Sequence, residues 1–582
     1  MNGRSWLVTF FLFLFLLAII VLQVLSMVQA ERLYERFDSV LNTLRSSSIA
    51  AVTKERGRTE KADLPMEEYP GDEGDWLVWR LHGEPRTLNP ISVEGGLVTT
   101  WICTGNIFER LFEYDIDVNV VKLKPWLAKS YEMSKDGLEV TIRLRDDIHF
   151  SDGVPVTVDD VVFTYETIMN PGVDAANIRN YYQNFKEVVK IDEHTVKFIF
   201  NEVYWKTIEA FGIFEVLPKH IYQFNDPEEF NKRRSNPVGS GPYVFEKWNV
   251  GQQVVLKRNE NYWGRNPKVG KVVFRFITNP TAALQALRSH EIDYMEPTSE
   301  QFVQMSSDKQ FKAEFQCLSI WQPSEAYYFI GWNQVRPFFK DRRVRLAMTH
   351  IVDREAVIEH LLGGNGKVVT GPFYIYGRQN DPDIKPWSYD PARAKELLDE
   401  ASWVDTDGDG IRDKDGVPFR FKFTYSTGSA NAERLAKLLK DEGIKVGIDI
   451  IPDPVESSIF AERFNNRDFD SLILGWGGTI ESDPYQIWHS SQIKGRGNNV
   501  ISFNNPEADA IIEEARRTLD SEKRYKLYHR LHKILHYEQP YTFLYIRPEQ
   551  HFLDKRFENI IIHKLGLNPY EWYVPKDKQR YK

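Results

Sequence analysis

The sequence predicts a mixed α/β protein with more than one globular lobe. Its 582 residues are too many for a single hydrophobic core, and the composition, 42% apolar and 27% charged, is typical of a globular body. The segments EVTIRLR, TVKFIF and KVVFRFI have the composition of strands, while TVDDVVFTYETIM and ARAKELLDEA have the spacing of helices. Because both kinds of segment alternate along the chain, we expect an α/β fold throughout the body.

Residues 1–30 are predicted to form a membrane anchor. Arg4 precedes the segment WLVTFFLFLFLLAIIVLQVLSMV, which holds roughly twenty apolar residues. That length spans a hydrocarbon core of about 30 Å as a helix. The alternative is a signal peptide that is cleaved after Ala30. We expect an uncleaved signal anchor, with the rest of the chain on the extracytoplasmic side of the cytoplasmic membrane.

Residues 31–75 are predicted to connect this anchor to the body. ERLYERFDSVLNTLRSSSIAAV has apolar residues at helical spacing, which predicts an amphipathic stalk helix. The segment TKERGRTEKADLPMEEYPGDEGD is charged and nearly free of large apolar residues, as expected of a linker. The body therefore begins near Trp76.

Helix boundaries within the body can be assigned from capping residues. Thr157, three residues before Asp160, predicts a capped helix start, and Pro280 and the pair Asp390-Pro391 predict two more. The segment NAERLAKLLKDEG predicts a helix that ends at Gly443.

Several classes of function are disfavoured. A net charge of −9 argues against nucleic-acid binding, which needs a basic surface. The sequence has no HExxH, GxSxG or GxxxxGK[ST] motif and no His/Cys cluster with metal-ligand spacing. Nothing in the sequence therefore supports an enzyme. Cys103 and Cys317 are compatible with one disulfide or with two free thiols.

The segment DTDGDGIRDKDG resembles a calcium loop. Four of its acids stand at the first, third, fifth and ninth positions of such a loop: Asp405, Asp407, Asp409 and Asp413. The last position, where a bidentate acid belongs, is Gly416. The segment is therefore either a structural calcium site or an acidic hairpin.

A series of motifs along the body carries a family resemblance. In order they are EPRTLNP, IFERLFEYD, LKPWLAKSYEMSKDGLEVTIRLRDDIHFSDGVPVTVDDVVFTYETI, NPVGSGPYVFEKW, LQALRSHEIDYM, FIGWNQVRPFFKDRRVRLAMTHIVDREAVI, YDPARAKELLDEASW and GWGGTIESDP. The series resembles the family 5 extracytoplasmic solute-binding proteins, the peptide-binding type that serves ABC importers. The resemblance extends from about Trp76 to the C-terminus.

The resemblance implies a bilobed periplasmic-binding-protein-like fold with an extra inserted domain. It also implies a protein without catalytic residues and without a covalent cofactor. Lobe I would comprise 76–112, 236–320 and 555–582, the insert 113–235, and lobe II 321–554. Ligand would bind between the lobes, drive their closure, and be passed to ABC permease subunits in the membrane.

The resemblance also implies ligand contacts in two loops, one after the LNP turn and one in the GW turn. The predicted contacts are Glu94, Gly95 and Gly96 in the first loop, and Gly475, Trp476, Gly477, Thr479, Glu481 and Asp483 in the second. Glycines let a ligand approach the main chain closely. Alternatively, the first glycines form a simple turn, Trp476 belongs to the core, and the Asp483-Pro484 pair shapes the next turn.

One position departs from the peptide-binding pattern. These relatives typically carry an aspartate three residues after the tryptophan, where it pairs with the ligand's α-ammonium; here that residue is Thr479. Either Glu481 or Asp483 supplies the charge, or the ligand has no free amino terminus. The predicted function is uptake of oligopeptides or dipeptides. The alternatives are oligosaccharide uptake, a membrane-anchored solute receptor and an extracytoplasmic hydrolase.

Overall fold

The computed structural model describes residues 60–61, 68–117, 122–323, 326–494 and 497–581. The predicted anchor (1–30) and stalk helix lie outside these residues. Within the described ranges, no helix is both long enough and apolar enough to cross a membrane.

The largest sheet has seven strands from three separate stretches of chain. In spatial order they are Phe315–Ile320, Glu549–Asp554, Tyr294–Met295, Trp76–Leu81, Lys271–Phe276, Gln253–Arg258 and Tyr243–Asn249. The strand Trp76–Leu81 runs parallel to both of its neighbours. This sheet therefore joins the start, the middle and the end of the described body.

The strand of this sheet that comes last in sequence begins before the predicted boundary at residue 555. Glu549–Asp554 pairs with Phe315–Ile320 and Tyr294–Met295, so the chain returns to this sheet at Glu549 and not at residue 555. Pro548 separates this strand from the preceding one. Proline has no N–H to donate to a sheet, which explains why the two strands part there.

A six-stranded sheet carries the GW segment. In spatial order its strands are Lys367–Val368, Tyr541–Ile546, Tyr327–Trp332, Ser471–Trp476, Arg420–Ser426 and Asp449–Val455. The strand Ser471–Trp476 is central, antiparallel to Tyr327–Trp332 and parallel to Arg420–Ser426. The loop after Trp476 therefore leaves the sheet from an interior strand.

A five-stranded antiparallel sheet takes four of its strands from the chain between Trp76–Leu81 and Tyr243–Asn249, and its fifth strand precedes Trp76. In spatial order its strands are Glu60–Lys61, Ala128–Met133, Glu139–Leu144, Thr195–Phe200 and Phe185–Lys190. The alternation predicted for EVTIRLR is confirmed, since Val140, Ile142 and Leu144 are buried. Three two-stranded ribbons complete the strands: Phe112–Tyr114 with Leu123–Pro125, Asp413–Lys414 with Val417–Pro418, and Ile562–His563 with Gly566–Leu567.

Helices cover the sheets and connect their strands. The α-helices are Leu97–Cys103, Val158–Met169, Ala176–Arg179, Lys219–Tyr222, Pro227–Asn231, Pro280–Arg288, Ser299–Ser307, Lys309–Glu314, Arg342–His350, Arg354–Leu362, Pro391–Glu400, Ala430–Lys445, Ser457–Asn466, Tyr485–Trp488, Pro506–Arg517 and Ser521–Glu538. The 3-10 helices are Asn180–Tyr182, Thr207–Ile213, Pro337–Phe339, Ser490–Ile493, Pro569–Glu571 and Lys576–Lys578.

The predicted helix starts are confirmed, and one predicted end is wrong. The capping box at Thr157 and the caps at Pro280 and Asp390 are present. The helix Ala430–Lys445, however, continues through Gly443. A Cβ on Gly443 would lie 2.9 Å from the side chain of Ile450, so glycine is needed there for close packing and not as a terminator.

A buried charge cluster fastens the C-terminal segment to the seven-stranded sheet. Arg556 donates to Asp293 at 2.8 and 3.1 Å and also to Asp75. The side chain of Arg556 is 3% exposed, and both carboxylates are fully buried. Both cysteines are free thiols: Cys103 is buried, and Cys317 is half-buried on the strand Phe315–Ile320.

Candidate ligand site

A cavity of about 630 Å³ lies between the GW loop and a hairpin on the opposite wall. The hairpin is Phe112–Tyr114 with Leu123–Pro125. Residues near the C-terminus, including Tyr570, close one side. The volume is within the range of about 300–1,000 Å³ that is usual for small-molecule sites.

The GW loop meets this cavity just beyond its tryptophan. Gly478, Thr479 and Ile480 line the wall. The hydroxyl of Thr479 donates to the backbone oxygen of Glu481 at 2.7 Å, which fixes the turn. Of the predicted contacts, Thr479 is therefore the one that the structure places on this cavity.

Trp476 faces an aromatic cluster of the six-stranded sheet. Its ring is stacked on Phe329 at a centroid distance of 6.3 Å and meets Phe464 edge-on at 6.1 Å. Its Nε1 donates to the hydroxyl of Tyr541 at 3.3 Å. The ring is half-buried and does not line the cavity, because these contacts hold it against the sheet.

The two glycines beside Trp476 differ in their surroundings. A Cβ on Gly475 would lie 3.2 Å from the ring of Tyr328, whereas Gly477 faces open space. Neither lines the cavity. Gly475 thus allows close packing between neighbouring strands, while Gly477 exposes its main chain.

Two acids after the GW turn are bound by the chain's own cations and hydroxyl groups. The carboxylate of Glu481 accepts hydrogen bonds from Tyr525 and, at 3.3 Å, from Arg524. Asp483 accepts from the Tyr204 hydroxyl at 2.8 Å and from Arg516 Nε at 3.0 Å. Both carboxylates therefore already have partners within the protein, and neither is free to pair with a ligand ammonium.

The loop after the LNP turn lies away from this cavity. Glu94 is exposed and forms an ion pair with Arg234 at 3.3 Å. The N–H of Gly95 donates to the Ser92 oxygen at 2.9 Å, so Gly95 occupies a tight turn. Gly96 precedes a helix and faces open space. The structure thus does not bring the two predicted loops together around this cavity.

Sequence reasoning did not identify the acids of the opposite wall. Glu109 and Glu113 both line the cavity and come from the segment IFERLFEYD. Glu109 is buried and accepts from Trp126 Nε1 at 2.7 Å, the Tyr262 hydroxyl at 2.6 Å and Trp263 Nε1 at 2.8 Å. The available signal was that these two acids stand directly beside large apolar residues of the segment, because a buried carboxylate needs a specific role or partner.

Glu113 titrates in the physiological range. Burial and the negative charge of Glu109 together raise its pKa to about 7, although Arg110 and Lys124 oppose the shift. Buried carboxyls with raised pKa values are common at functional sites.

A histidine bridge lies at the edge of the cavity. His563 contacts Asp117 at 2.7 Å and Glu571 at 2.9 Å. Burial alone would lower its pKa, but the two carboxylates outweigh burial and raise it. His563 thereby links the ribbon Ile562–His563 to Asp117, which follows the hairpin strand Phe112–Tyr114.

The aspartate-rich loop has features of both predicted alternatives, the acidic hairpin and the calcium site. Asp413–Lys414 and Val417–Pro418 form the expected hairpin. Asp405, Asp407 and Asp413 can each offer an oxygen within 4.8 Å of the others, whereas Asp409 accepts from the Ile411 N–H at 2.7 Å. Three of the four predicted ligands are thus grouped, and calcium binding stays a prediction.

Comparison with known proteins places the chain in a family. The profile of bacterial extracellular solute-binding proteins, family 5 Middle, matches residues 122–498. The oligopeptide-binding protein AppA of Bacillus subtilis is 31% identical over 521 residues, which cover 87% of this chain and 93% of that protein.

Two solved structures have the same architecture. The complex of Bacillus subtilis AppA with a nonapeptide has a TM-score of 0.74, 29% identity, and coverage of 87% of this chain and all of that one. NikZ from Campylobacter jejuni in complex with Ni(L-His) has a TM-score of 0.72, 27% identity, and coverage of 86% and 99%. The fold is therefore the bilobed, periplasmic-binding-protein-like α/β fold, and the chain belongs to family 5 of the bacterial extracellular solute-binding proteins.

Proposed function

We propose that this protein is the solute-binding component of an ABC importer and that it binds oligopeptides or dipeptides. Its similarity to AppA of Bacillus subtilis, over nearly the full length of both chains, supports a peptide ligand. The bound solute would then be passed to permease subunits in the membrane. The protein itself would perform no catalysis.

The observation that carries this proposal is the cavity behind the GW loop. Gly478, Thr479 and Ile480 form one wall and the hairpin at Glu113 forms the other. The glycine and the threonine on this wall suit an extended ligand, which must come close to the wall to offer its own backbone groups for hydrogen bonding. Closure of the lobes would bring further groups onto the ligand.

We also propose a division of the body into lobe I, an insert and lobe II. The seven-, five- and six-stranded sheets would form their respective centres. The final return to lobe I would begin at Glu549. The apolar segment in residues 1–30 would anchor the protein on the extracytoplasmic side, as its length favours.

A metal chelate is the second candidate ligand. NikZ, whose structure contains Ni(L-His), resembles this chain almost as closely as AppA does. In that case the protein would bind nickel with histidine and would ignore peptides.

A thermal-shift comparison tests these ligands against each other. Mixed tetrapeptides, mixed dipeptides, nickel with L-histidine, and cello-oligosaccharides are each added to the purified protein. A ligand at a hundred times its Kd stabilises the folded state by about 2.7 kcal/mol, which is a clear shift in Tm. Stabilisation by peptides alone supports the proposal, and stabilisation by nickel with L-histidine alone contradicts it.

A further inference from the structure

The hairpin wall of the cavity presents a carboxylate that the protein does not pair. Glu113 lines the cavity and is half-buried. Within the described part of the chain, its side chain makes no hydrogen bond and has no cation within the 4.0 Å of an ion pair. Lys124 is its direct neighbour across the hairpin, yet the two do not form an ion pair.

The second acid of this wall is saturated by uncharged donors. Trp126, Tyr262 and Trp263 all donate to Glu109. These donors hold the carboxylate in place without supplying a positive charge. Glu109 therefore adds negative potential at Glu113 while leaving no oxygen in need of a further donor.

Aromatic rings surround this end of the cavity. Four half-buried rings line it: Tyr114, Trp126, Tyr262 and Tyr570. Arg265 covers a fifth ring, Tyr69, at 4.2 Å, and among the described residues no cation lies over the other four. Aromatic faces beside carboxylates attract ammonium and guanidinium groups.

The acids on the side of the GW loop are already paired within the protein, since Glu209, which lines the cavity, forms an ion pair with Lys206 at 2.6 Å. Glu481 is bound by Arg524 and Tyr525, and its backbone oxygen accepts from Lys206 at 2.8 Å. Thr479 stands where an acid would otherwise meet the ligand's charge. A cationic ligand group in this cavity would therefore find its partner on the hairpin and not on the GW loop.

We propose that Glu113 binds a positively charged group of the ligand within this aromatic end of the cavity. The inference rests on the proposed function and makes it more specific: preferred ligands are peptides with an ammonium or guanidinium group that reaches Glu113. The ion pair would form as the ligand enters, and Lys124 would be the cation that competes with it.

The electrostatics of the cavity agree with this assignment. Glu113 has a pKa of about 7 because it is desolvated and lies near Glu109, despite Arg110 and Lys124. A bound cation would favour the ionised form and lower that pKa. A bound cation would thus supply the counter-charge that the carboxylate of Glu113 needs.

Calorimetric titration with matched peptides tests the assignment and separates the two sources of charge. The set is tetra-alanine with a free amino end, its N-acetylated form, and N-acetylated forms with one lysine or one norleucine inside. The proteins are the wild type, Glu113→Gln, Lys124→Gln and Glu132→Gln, the last removing an exposed charge outside the cavity. Cadaverine, a cation without peptide bonds, is titrated in parallel.

The wild type should bind at least one of the two cationic peptides about tenfold or more tightly than its uncharged match, as expected for a charged hydrogen bond. Glu113→Gln should abolish that preference, Lys124→Gln should strengthen it, and Glu132→Gln should leave it unchanged. A preference that survives Glu113→Gln, or equal affinity for charged and uncharged peptides, overturns the assignment. If no peptide binds but cadaverine binds in a Glu113-dependent manner, the peptide function fails and the cation site stands. If neither binds, both fail.

Discussion

Arg524 donates from Nη2 to Oε2 of Glu481 at 3.3 Å, and both side chains are only 6% exposed. This buried ion pair uses the acid that follows the GW turn. It anchors the loop to the helix Ser521–Glu538. The helix therefore holds the loop in place, and Thr479 and its neighbours in the loop line the cavity.

Removing the charge of Glu481 should destabilise the protein without removing a ligand contact. In Glu481→Gln, Arg524 stays buried without its counter-charge, which typically costs about 3–5 kcal/mol. Urea unfolding should show this loss, while the folded variant should keep its relative affinities for free and N-acetylated peptides. If the stability is unchanged and binding of peptides with a free amino terminus is selectively lost, Glu481 is a ligand contact after all.

Substitution of Arg556 in the buried charge cluster should also lower the stability of the protein. Arg556→Met leaves the fully buried Asp75 and Asp293 without this cation, so the free energy of unfolding should fall by about 3–5 kcal/mol. The control is Lys578→Met, which removes an exposed ion pair to Glu558 and should change the stability little, because water and salt screen exposed charges. Equal effects of the two variants in urea unfolding would refute a special role for the cluster.

The cluster also shows what sequence patterns could and could not predict. Strands and helix caps such as Thr157 follow from residues a few positions apart, so they were predictable. Asp75, Asp293 and Arg556 are separated by hundreds of residues, and no local pattern links them. Their pairing is a property of the tertiary fold.

The same limit applies to the candidate site. Thr479 was predictable from the GW motif, but the partner that makes Glu481 unavailable lies 43 residues further on. Glu109 and Glu113 become candidates for a ligand site only because the fold brings them into one cavity with aromatic residues as distant in sequence as Tyr570. Gly443 was misassigned because a glycine that ends a helix and one that permits close packing look alike in sequence.

One buried histidine, His532, and one half-buried histidine, His536, should make the protein sensitive to mild acid. Burial lowers the pKa of His532 and of His536 to about 4. The unfolded chain binds protons at these positions below about pH 6.5, whereas the folded protein does so only near pH 4. Stability should therefore fall as the pH drops from 6.5 towards 4, by about 1.4 kcal/mol per pH unit for each histidine.

His532→Gln provides the check on this pH dependence. In the folded protein, His532 Nδ1 accepts from the Asp381 N–H at 3.1 Å, and Nε2 lies 3.1 Å from the Thr370 hydroxyl. Glutamine also offers one acceptor and a donor but does not titrate. Urea unfolding between pH 7 and pH 5 should show a smaller slope for the variant; identical slopes would exclude His532 as a source.

Calcium should bind the aspartate-rich loop if the grouped carboxylates act as ligands. Asp405→Asn and Asp407→Asn should weaken binding, whereas Asp409→Asn should matter less, because Asp409 is not in the group of carboxylates whose oxygens lie within 4.8 Å of one another. Titration calorimetry after chelator treatment measures this, with a Kd expected in the range of about 10⁻⁴–10⁻³ M for an extracellular site. Absence of heat at millimolar calcium would leave the segment as an acidic hairpin.

Titration of peptides into the wild type and into Thr479→Trp tests the central claim most directly. Thr479 lines the cavity, so a tryptophan there would occupy space that the ligand needs. The wild type should bind tetrapeptides or dipeptides with a stoichiometry of one, and Thr479→Trp should lose that binding while unfolding at a similar urea concentration. Peptide binding that is unaffected by Thr479→Trp, or no peptide binding by the wild type, would contradict the account.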